Sequence, residues 1–207
     1  MKIGIIGSGM IGSTAARLFV KAGHDVAISN SRGPDSLREL VAELGPKAHA
    51  ATVKEAAEFG ELVLLAIPYK ACPFLPPKEL AGKIVIDATN YYAQRDGEID
   101  FGGRTSSELL ARHIPGARVV KAFNTMYFKT LGAEAHPDTP MNERLVLFVA
   151  GDDAEARRTV ARLIEEIGFA PVETGSLAEG GRRQQPGSSI YNHPMRRPDA
   201  QSVLARI

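Results

Sequence analysis

The sequence predicts an α/β protein built on a doubly wound, mostly parallel sheet of about eight strands, with a small C-terminal extension. Short apolar runs alternate with amphipathic helical segments along most of the chain, which is the pattern of a sheet covered by helices. Residues 62–67 form a continuous apolar run, as expected of a central strand buried on both faces. The 207 residues, 44% of them hydrophobic, suffice for one substantial core rather than two.

The first strand and helix are joined by a glycine-rich turn. A β-branched strand over residues 3–6 leads into the sequence Gly-Ser-Gly-Met-Ile-Gly at 7–12, and an amphipathic helix then ends near Gly23. This order is typical of the Rossmann-like dinucleotide-binding unit, where bare backbone at a helix N-terminus holds a phosphate pair. A glycine turn in another α/β fold is the alternative. The predicted pyrophosphate ligands are Gly7, Ser8, Gly9, Met10 and Ile11.

The second strand ends in a polar turn that carries no acid. NAD enzymes usually place a carboxylate there, on the ribose hydroxyls. Here Ser29, Asn30 and Ser31 offer neutral hydrogen bonds, and Arg32 offers a guanidinium fork suited to an oxyanion. We therefore predict that this turn binds the 2′-phosphate of NADP. A solvated polar turn is the alternative interpretation.

The following elements continue the alternation of helix and strand. An apolar stripe over 37–44 predicts a helix, a strand follows at 47–50, and Thr52 with Glu55 fits a capping box that starts another helix. The central strand over 62–67 ends at Pro68. The proline-rich stretch 72–77 predicts a connector with at most a short helix.

The second half of the chain repeats the pattern. The predicted strands cover 83–88, 118–123, 144–151 and 169–173. A capping box of Thr105 and Glu108 begins one helix, Asp152 or Asp153 begins another, and the polar segment 91–97 is predicted to be a loop.

Ligands in doubly wound sheets collect outside the carboxyl ends of the strands. We therefore expect one set of residues to line the cofactor from adenosine to nicotinamide, namely Ala66, Ile67, Pro68, Thr89 and Asn90. The next strand end supplies the substrate-side candidates, which are Asn124, Thr125 and Met126. Asn124 could equally cap the following helix.

The composition changes after residue 174. We predict a dinucleotide-binding domain over 1–174 and an extension over 175–207 that serves as a lid or a dimer contact. Within the extension we expect a flexible basic connector over 180–187 and a short helix over 200–206. A solvated tail is the alternative.

Overall charge and cysteine content exclude several classes. A net charge of +1 gives no global attraction to nucleic acid or to an anionic membrane. The single cysteine permits no internal disulfide, which favours the cytoplasm, and the histidines show no metal-ligand spacing. We expect no metal site and assign no catalytic acid.

Several segments together resemble a known family, the NADP reductases that depend on the deazaflavin coenzyme F-420. The resemblance rests on the 7–12 turn, Ser-Asn-Ser-Arg-Gly-Pro at 29–34, Ala-Ile-Pro at 66–68, Asp-Ala-Thr-Asn-Tyr-Tyr at 87–92 and Lys-Ala-Phe-Asn-Thr at 121–125. It implies a homodimer that passes a hydride between the nicotinamide and a planar deazaflavin as co-substrate.

The wider family includes flavin- and iron-reducing relatives, so the resemblance leaves flavin, quinone and ferric acceptors open. A non-catalytic NADPH sensor is an alternative of another class. Hydroxy-acid, imine and pyrroline-type dehydrogenases share the N-terminal unit. They normally add a long helical domain, however, and the residues after the last strand are too few for one.

Overall fold

A single eight-stranded sheet forms the centre of the protein. The structure is a computed structural model, and it describes residues 1–206. The strands are β1 (Lys2–Ile6), β2 (Asp25–Ser29), β3 (Ala48–Ala51), β4 (Leu62–Leu65), β5 (Ile84–Asp87), β6 (Arg118–Lys121), β7 (Val146–Gly151) and β8 (Ala170–Gly175). Ile207, the last residue of the predicted extension, lies outside the described residues.

The strand order is β3-β2-β1-β4-β5-β6-β7-β8. Strands β1 to β6 are parallel; β7 is antiparallel to β6, and β8 runs parallel to β7. The predicted doubly wound, mostly parallel sheet is confirmed. The strand order reverses between β1 and β4, so the carboxyl ends of these two strands border the crevice where such sheets bind ligands.

Ten α-helices connect the strands in the part of the chain that the structure describes. They are α1 (Met10–Lys21), α2 (Arg38–Leu44), α3 (Val53–Phe59), α4 (Pro77–Leu80), α5 (Ala93–Asp96), α6 (Ser106–His113), α7 (Phe128–Ala133), α8 (Ala154–Glu166), α9 (Glu179–Arg183) and α10 (Arg197–Leu204). Two 3₁₀ helices, Pro34–Leu37 and Tyr69–Phe74, complete the connections. No helix within residues 1–206 is long and apolar enough to cross a membrane.

Helices cover both faces of the sheet because successive strand residues point to opposite sides. On one face α1, α7 and α8 bury Phe19, Leu131 and Leu163 against Ile5 and Ile86. This larger core holds α1 against β1, so both elements that flank the glycine turn are packed in place.

The opposite face is covered by α3, α4 and α6. Ala56, Leu80 and Leu110 pack there with the alternate strand residues Val63 and Val85. Both predicted capping boxes are present, since Thr52 and Thr105 accept hydrogen bonds from Glu55 and Glu108 amides. Asp153 rather than Asp152 caps α8, with its carboxylate accepting from the Ala156 amide at 2.9 Å.

One short helix occupies a segment that was predicted to be a loop, and the helix that follows β6 begins after Asn124. The polar segment predicted as a loop contains the single turn α5, whose carboxylate at Asp96 accepts from the Tyr92 amide at 3.0 Å. The next helix after β6 is α7, which begins at Phe128 with Tyr127 as its N-cap. Asn124 therefore does not cap it.

The prediction of a flexible connector over 180–187 is wrong. Residues 179–183 form α9, with Gly180 and Gly181 buried, and Gln184 is fully buried. A Cβ on Gly180 would lie 2.5 Å from Thr174 Oγ1 and 2.8 Å from Ala150 Cβ. The glycines thus permit close packing of α9 on β7 and β8, and they do not make the segment mobile.

The final helix and the segment before it also pack on the sheet. Ile190 and Ala200 are fully buried together with Phe148 and Val172 of the last two strands. The helix predicted over 200–206 begins earlier, at Arg197, and ends at Leu204. A solvated tail is therefore excluded for the described part of the extension.

Candidate functional site

The glycine turn between β1 and α1 brings backbone into close contact at two positions and leaves it open at a third. Gly7 has φ +110°, and a Cβ there would lie 2.3 Å from the Ala66 carbonyl oxygen. A Cβ on Gly12 would lie 1.8 Å from the Gly7 carbonyl oxygen, whereas a Cβ on Gly9 would meet no atom within 4 Å. The turn therefore needs glycine at 7 and 12 for packing, and at 9 it presents bare backbone to the crevice.

The N-terminus of α1 is prepared for an anion. Gly9 is its N-cap and provides no side-chain hydrogen bond, and the first turn carries no acidic residue. The first amides of a helix have no partner within the helix, and its dipole adds partial positive charge there. Backbone N–H groups next to open space can thus bind a phosphate group without competition from a side chain.

A second loop joins this turn through Asn30. The Asn30 side-chain amide donates to Ser8 Oγ at 3.2 Å and to Ser36 Oγ at 2.8 Å. Its carbonyl oxygen accepts from the Arg32 backbone amide at 2.9 Å. Asn30 therefore holds the polar turn after β2 against the glycine turn, and the Arg32 guanidinium forms no ion pair or hydrogen bond within residues 1–206.

A cavity of about 610 Å³ lies between these two turns and the end of β4. Nine residues predicted for the cofactor line it, which are Gly7, Ser8, Gly9, Asn30, Ser31, Arg32, Ala66, Ile67 and Pro68. The sequence did not identify Val53, Ala71, Phe74 and Leu75, which line the same cavity. Phe74 is 85% exposed, and its position in the proline-rich stretch after a central strand was the available signal.

Other predicted cofactor residues do not reach this cavity. Ser29 is fully buried and its hydroxyl donates to the Ile5 carbonyl oxygen at 3.0 Å. Thr89 is also buried, and its hydroxyl donates to Asp87 Oδ1 at 2.6 Å. Ser29 and Thr89 therefore do not line this cavity, and their contact with a cofactor stays a prediction. Met10 and Ile11 lie in the first turn of α1 and do not line the cavity with their side chains.

The substrate-side candidates cluster at the carboxyl ends of β5 and β6. The Asn124 amide donates to Asn90 Oδ1 at 3.0 Å and to the Gln184 carbonyl oxygen at 2.7 Å. In return the Asn90 amide donates to the Asn124 carbonyl oxygen at 2.9 Å. Thr125 and Met126 are buried beside this pair, and Met126 belongs to the core. Hence Asn90 and Asn124 remain the polar candidates for contact with the nicotinamide or the substrate, whereas the Met126 side chain packs in the hydrophobic core.

The extension covers this cluster. The Asn192 amide donates to the Thr125 carbonyl oxygen at 2.9 Å. The Tyr191 hydroxyl contacts the hydroxyl of Tyr92 and accepts from the Asn90 amide at 3.4 Å. Burial is the main cause that raises the pKa of Tyr191, and the hydrogen bond with Tyr92 raises it further. This hydroxyl therefore stays protonated across the physiological pH range.

A buried ion pair lies beneath the cluster. Lys121 Nζ is 3.1 Å from Asp87 Oδ2 and donates to the Thr89 carbonyl oxygen at 2.6 Å, and Ser107 Oγ donates to the same carboxylate at 2.6 Å. Burial alone would raise the pKa of Asp87. The Lys121 ammonium and the hydrogen bonds from Ser107 and Thr89 outweigh it and hold the pKa below its usual range. Since the folded pKa is lowered, this contribution to stability is present above about pH 4 and is lost as the pH falls further.

The residues present fit a dinucleotide. The space beside Gly9 is a cradle that a Cβ would fill, and Arg32 supplies an uncompensated cation at one end of the cavity. At the strand ends beyond, Asn124 Oδ1 and Gln184 Oε1 are buried without a hydrogen-bond partner. A buried acceptor of this kind suits an amide donor such as a carboxamide.

The sheet topology, the glycine turn and the uncapped helix define a dinucleotide-binding fold of the Rossmann class. Residues 2–91 match the family described as NADP oxidoreductase, coenzyme F-420-dependent. The match extends from β1 to the segment just after β5, which is less than half of the chain.

Two solved structures resemble nearly the whole chain. A hypothetical protein of Sinorhizobium meliloti is 37% identical with a TM-score of 0.84, and the match covers 95% of this chain and 96% of that one. A protein of Arthrobacter sp. FB24, proposed to be an F-420-dependent NADP reductase, is 26% identical with a TM-score of 0.74 over 95% and 100% of the two chains.

A curated relative has a different acceptor in its name. The metalloreductase STEAP3 of Rattus norvegicus is 31% identical over 180 residues, which is 86% of this chain. The chain spans about a third of the length of the curated relatives that it matches, 34% in this case.

Proposed function

We propose that the protein transfers a hydride between NADPH and a planar redox cofactor, with the deazaflavin coenzyme F-420 as the first candidate. One observation carries the proposal: the open Gly9 backbone, the uncapped start of α1 and the free Arg32 guanidinium line a single cavity. Together they offer binding groups for a pyrophosphate and for a further phosphate on the ribose.

Each part of NADPH has a proposed partner. Amides of the 7–11 segment bind the pyrophosphate, and Ser31 with Arg32 binds the 2′-phosphate, with Asn30 holding that loop in place. Ala66, Ile67 and Pro68 border the path toward the nicotinamide, whose carboxamide would meet Asn90 and Asn124. When bound, NADPH supplies a hydride from C4 of its nicotinamide ring. The side chains orient the two rings and exclude water, which is what such a reaction requires of a protein.

The acceptor is proposed from chemistry and from relatives. The family description and the Arthrobacter structure favour coenzyme F-420. The likeness to the metalloreductase STEAP3 favours a second candidate, a reductase of a metal ion such as ferric iron. A hydride carries two electrons whereas a ferric ion accepts one, so ferric reduction would need a flavin between them. Quinones remain a further planar acceptor, and a non-catalytic NADPH sensor is the alternative outside enzymes.

Purified protein with NADPH, mixed separately with coenzyme F-420, FMN, riboflavin, a quinone and a ferric complex, tests the acceptor. We expect rapid loss of NADPH absorbance with coenzyme F-420, and none in the Gly9→Ala protein. Rapid turnover with FMN but not with F-420 would overturn the first candidate, and ferric turnover that requires added flavin would establish the second. Tight NADPH binding without turnover on any acceptor would leave the sensor.

Replacing Arg32 by alanine is expected to weaken NADPH binding about 10- to 100-fold, because hydrogen bonds to a charged partner contribute about 1.5–3 kcal/mol. Binding of NADH, which lacks the 2′-phosphate, should change little. Isothermal titration of both nucleotides checks this. Arg38→Ala is the matched control, since Arg38 is exposed nearby but paired with Asp35 at 2.6 Å. Equal losses for NADPH and NADH would contradict a phosphate-binding role of Arg32.

A further inference from the structure

A second cavity, of about 260 Å³, opens beside the strand ends of β5 and β6. It is called here the basic cavity, and the residues that matter are Asn90, Tyr91, Phe101, Arg104, Lys121 and Arg182. It shares no lining residue with the cavity at the glycine turn. A ligand bound here would therefore be separate from the adenosine part of a dinucleotide.

The basic cavity has three cationic side chains, and its lining includes no carboxylate. Arg104 forms no side-chain hydrogen bond or ion pair within residues 1–206. Arg182 forms no ion pair within the same range, and its guanidinium donates one hydrogen bond, at 2.8 Å, to the Gly103 carbonyl oxygen. Gly103 directly precedes Arg104, so this bond holds the Arg182 guanidinium against the backbone next to Arg104, and both arginines line the cavity.

The third cation is the buried Lys121. Its ammonium donates to Asp87 and to the Thr89 carbonyl oxygen, which accounts for two of its three N–H bonds. Lys121 is 1% exposed and lines the basic cavity. A buried ammonium with a donor to spare, in the same lining as two guanidinium groups that form no ion pair within residues 1–206, favours an anion.

Part of the lining of the basic cavity is aromatic. The rings of Tyr91 and Phe101 pack edge to face with centroids 4.8 Å apart, and both line the basic cavity. Cations at the rim with an apolar wall suit an anionic group that is carried on an organic substituent, and suit a bare inorganic ion less well.

Asn90 connects the basic cavity to the cluster described above. It lines the cavity, and its side-chain amide bonds the Asn124 carbonyl oxygen at 2.9 Å. Resting on the proposed function, we propose that the basic cavity binds the phosphate or carboxylate of the substituent that the hydride acceptor carries. The acceptor is then anionic: FMN in preference to riboflavin, and coenzyme F-420 in preference to its phosphate-free riboside.

Equilibrium binding to the NADP⁺-loaded protein tests this without turnover. The probes are two matched pairs, FMN with riboflavin and coenzyme F-420 with its phosphate-free riboside, each followed by its own fluorescence. We expect the phosphorylated member of at least one pair to bind about tenfold more tightly than its partner, as for a charge-assisted contact. Arg104→Ala and Arg182→Ala should each remove most of that difference and leave the phosphate-free member unchanged.

Arg158→Ala is the control, because Arg158 is exposed on α8 and forms no side-chain hydrogen bond or ion pair within residues 1–206. Thermal melts of all three variants, which change exposed side chains, should match the wild type. Equal affinity within both pairs, or binding of none of the four probes, would overturn the proposal. So would inorganic phosphate that binds with an Arg104-dependent affinity while both pairs show no difference, since the cavity would then take a free anion.

The NADPH affinity of the wild type and of Arg104→Ala is measured alongside. It should be the same in both, because the two cavities share no residue. A wild type that fails to bind NADPH would count against the proposed function, whereas normal NADPH binding with equal affinity inside each probe pair counts against the basic cavity alone.

Discussion

The Gly9→Ala protein is expected to fold normally and to lose NADPH binding. Gly9 has φ −69°, which any residue adopts, and its Cβ would meet no protein atom within 4 Å. The added methyl group would instead occupy the space through which phosphate oxygens approach the amides of α1, so we expect an affinity loss of about 100-fold or more. Calorimetric titration of NADPH and a thermal melt measure the two quantities.

Gly12→Ala is the contrasting variant. Its Cβ would lie 1.8 Å from the Gly7 carbonyl oxygen, so α1 must move away from β1, and both the melting temperature and NADPH affinity should fall. If Gly9→Ala keeps its NADPH affinity, the pyrophosphate does not lie on this turn. If it melts like Gly12→Ala, position 9 is needed for folding, which contradicts the open space around its Cβ.

Lys121→Met is expected to reduce the free energy of unfolding by about 3–5 kcal/mol, because it leaves the buried Asp87 carboxylate without its cation. Ser107 and Thr89 still donate hydrogen bonds to that carboxylate, but neither supplies a charge. Urea unfolding at neutral pH, compared with the wild type, measures the loss.

The loss of unfolding free energy in Lys121→Met depends on pH because the Asp87 carboxyl is ionised at high pH and protonated at low pH. In the wild type the pKa of Asp87 is lowered, and its contribution to stability is lost below about pH 4. In Lys121→Met the burial of Asp87 has no cation to offset it and raises this pKa. The free energy of unfolding of the variant therefore falls as the pH rises and the buried carboxyl must ionise. The difference in unfolding free energy should therefore be small near pH 4 and grow toward pH 8. The double variant Asp87→Asn/Lys121→Met should recover part of the stability. A loss below about 1 kcal/mol in Lys121→Met at neutral pH would show that this ion pair contributes as little as an exposed one.

The glycine turn could be predicted from sequence because its information is local. A strand, three glycines at fixed spacing and an amphipathic helix follow one another within 23 residues of the chain. The loop after β2 was predictable for the same reason. The burial of Ser29 was not predictable in the same way, because it is the last residue of a strand, where a shift of one position moves a side chain to the opposite face.

Lys121 and Asp87 show what needs the tertiary arrangement. Each is a charged residue at the carboxyl end of a four-residue strand whose two central residues are apolar, which is a visible signal. Only the order of the strands reveals that β5 and β6 are neighbours and that the two residues are in register. The prediction of a flexible connector over 180–187 was wrong for a related reason. A glycine pair indicates flexibility when only the local sequence is considered, yet here the missing Cβ of Gly180 leaves room for Thr174 and Ala150.

Titration of the unmodified protein with NADPH and with NADH, under identical conditions, is the most direct test of the central claim that the cavity between the glycine turn and Arg32 binds a 2′-phosphorylated dinucleotide. We expect NADPH to bind with a dissociation constant at least about tenfold lower than that of NADH, which corresponds to about 1.4 kcal/mol for the contacts of one phosphate. Equal affinities, a preference for NADH, or no binding of either nucleotide would contradict the claim.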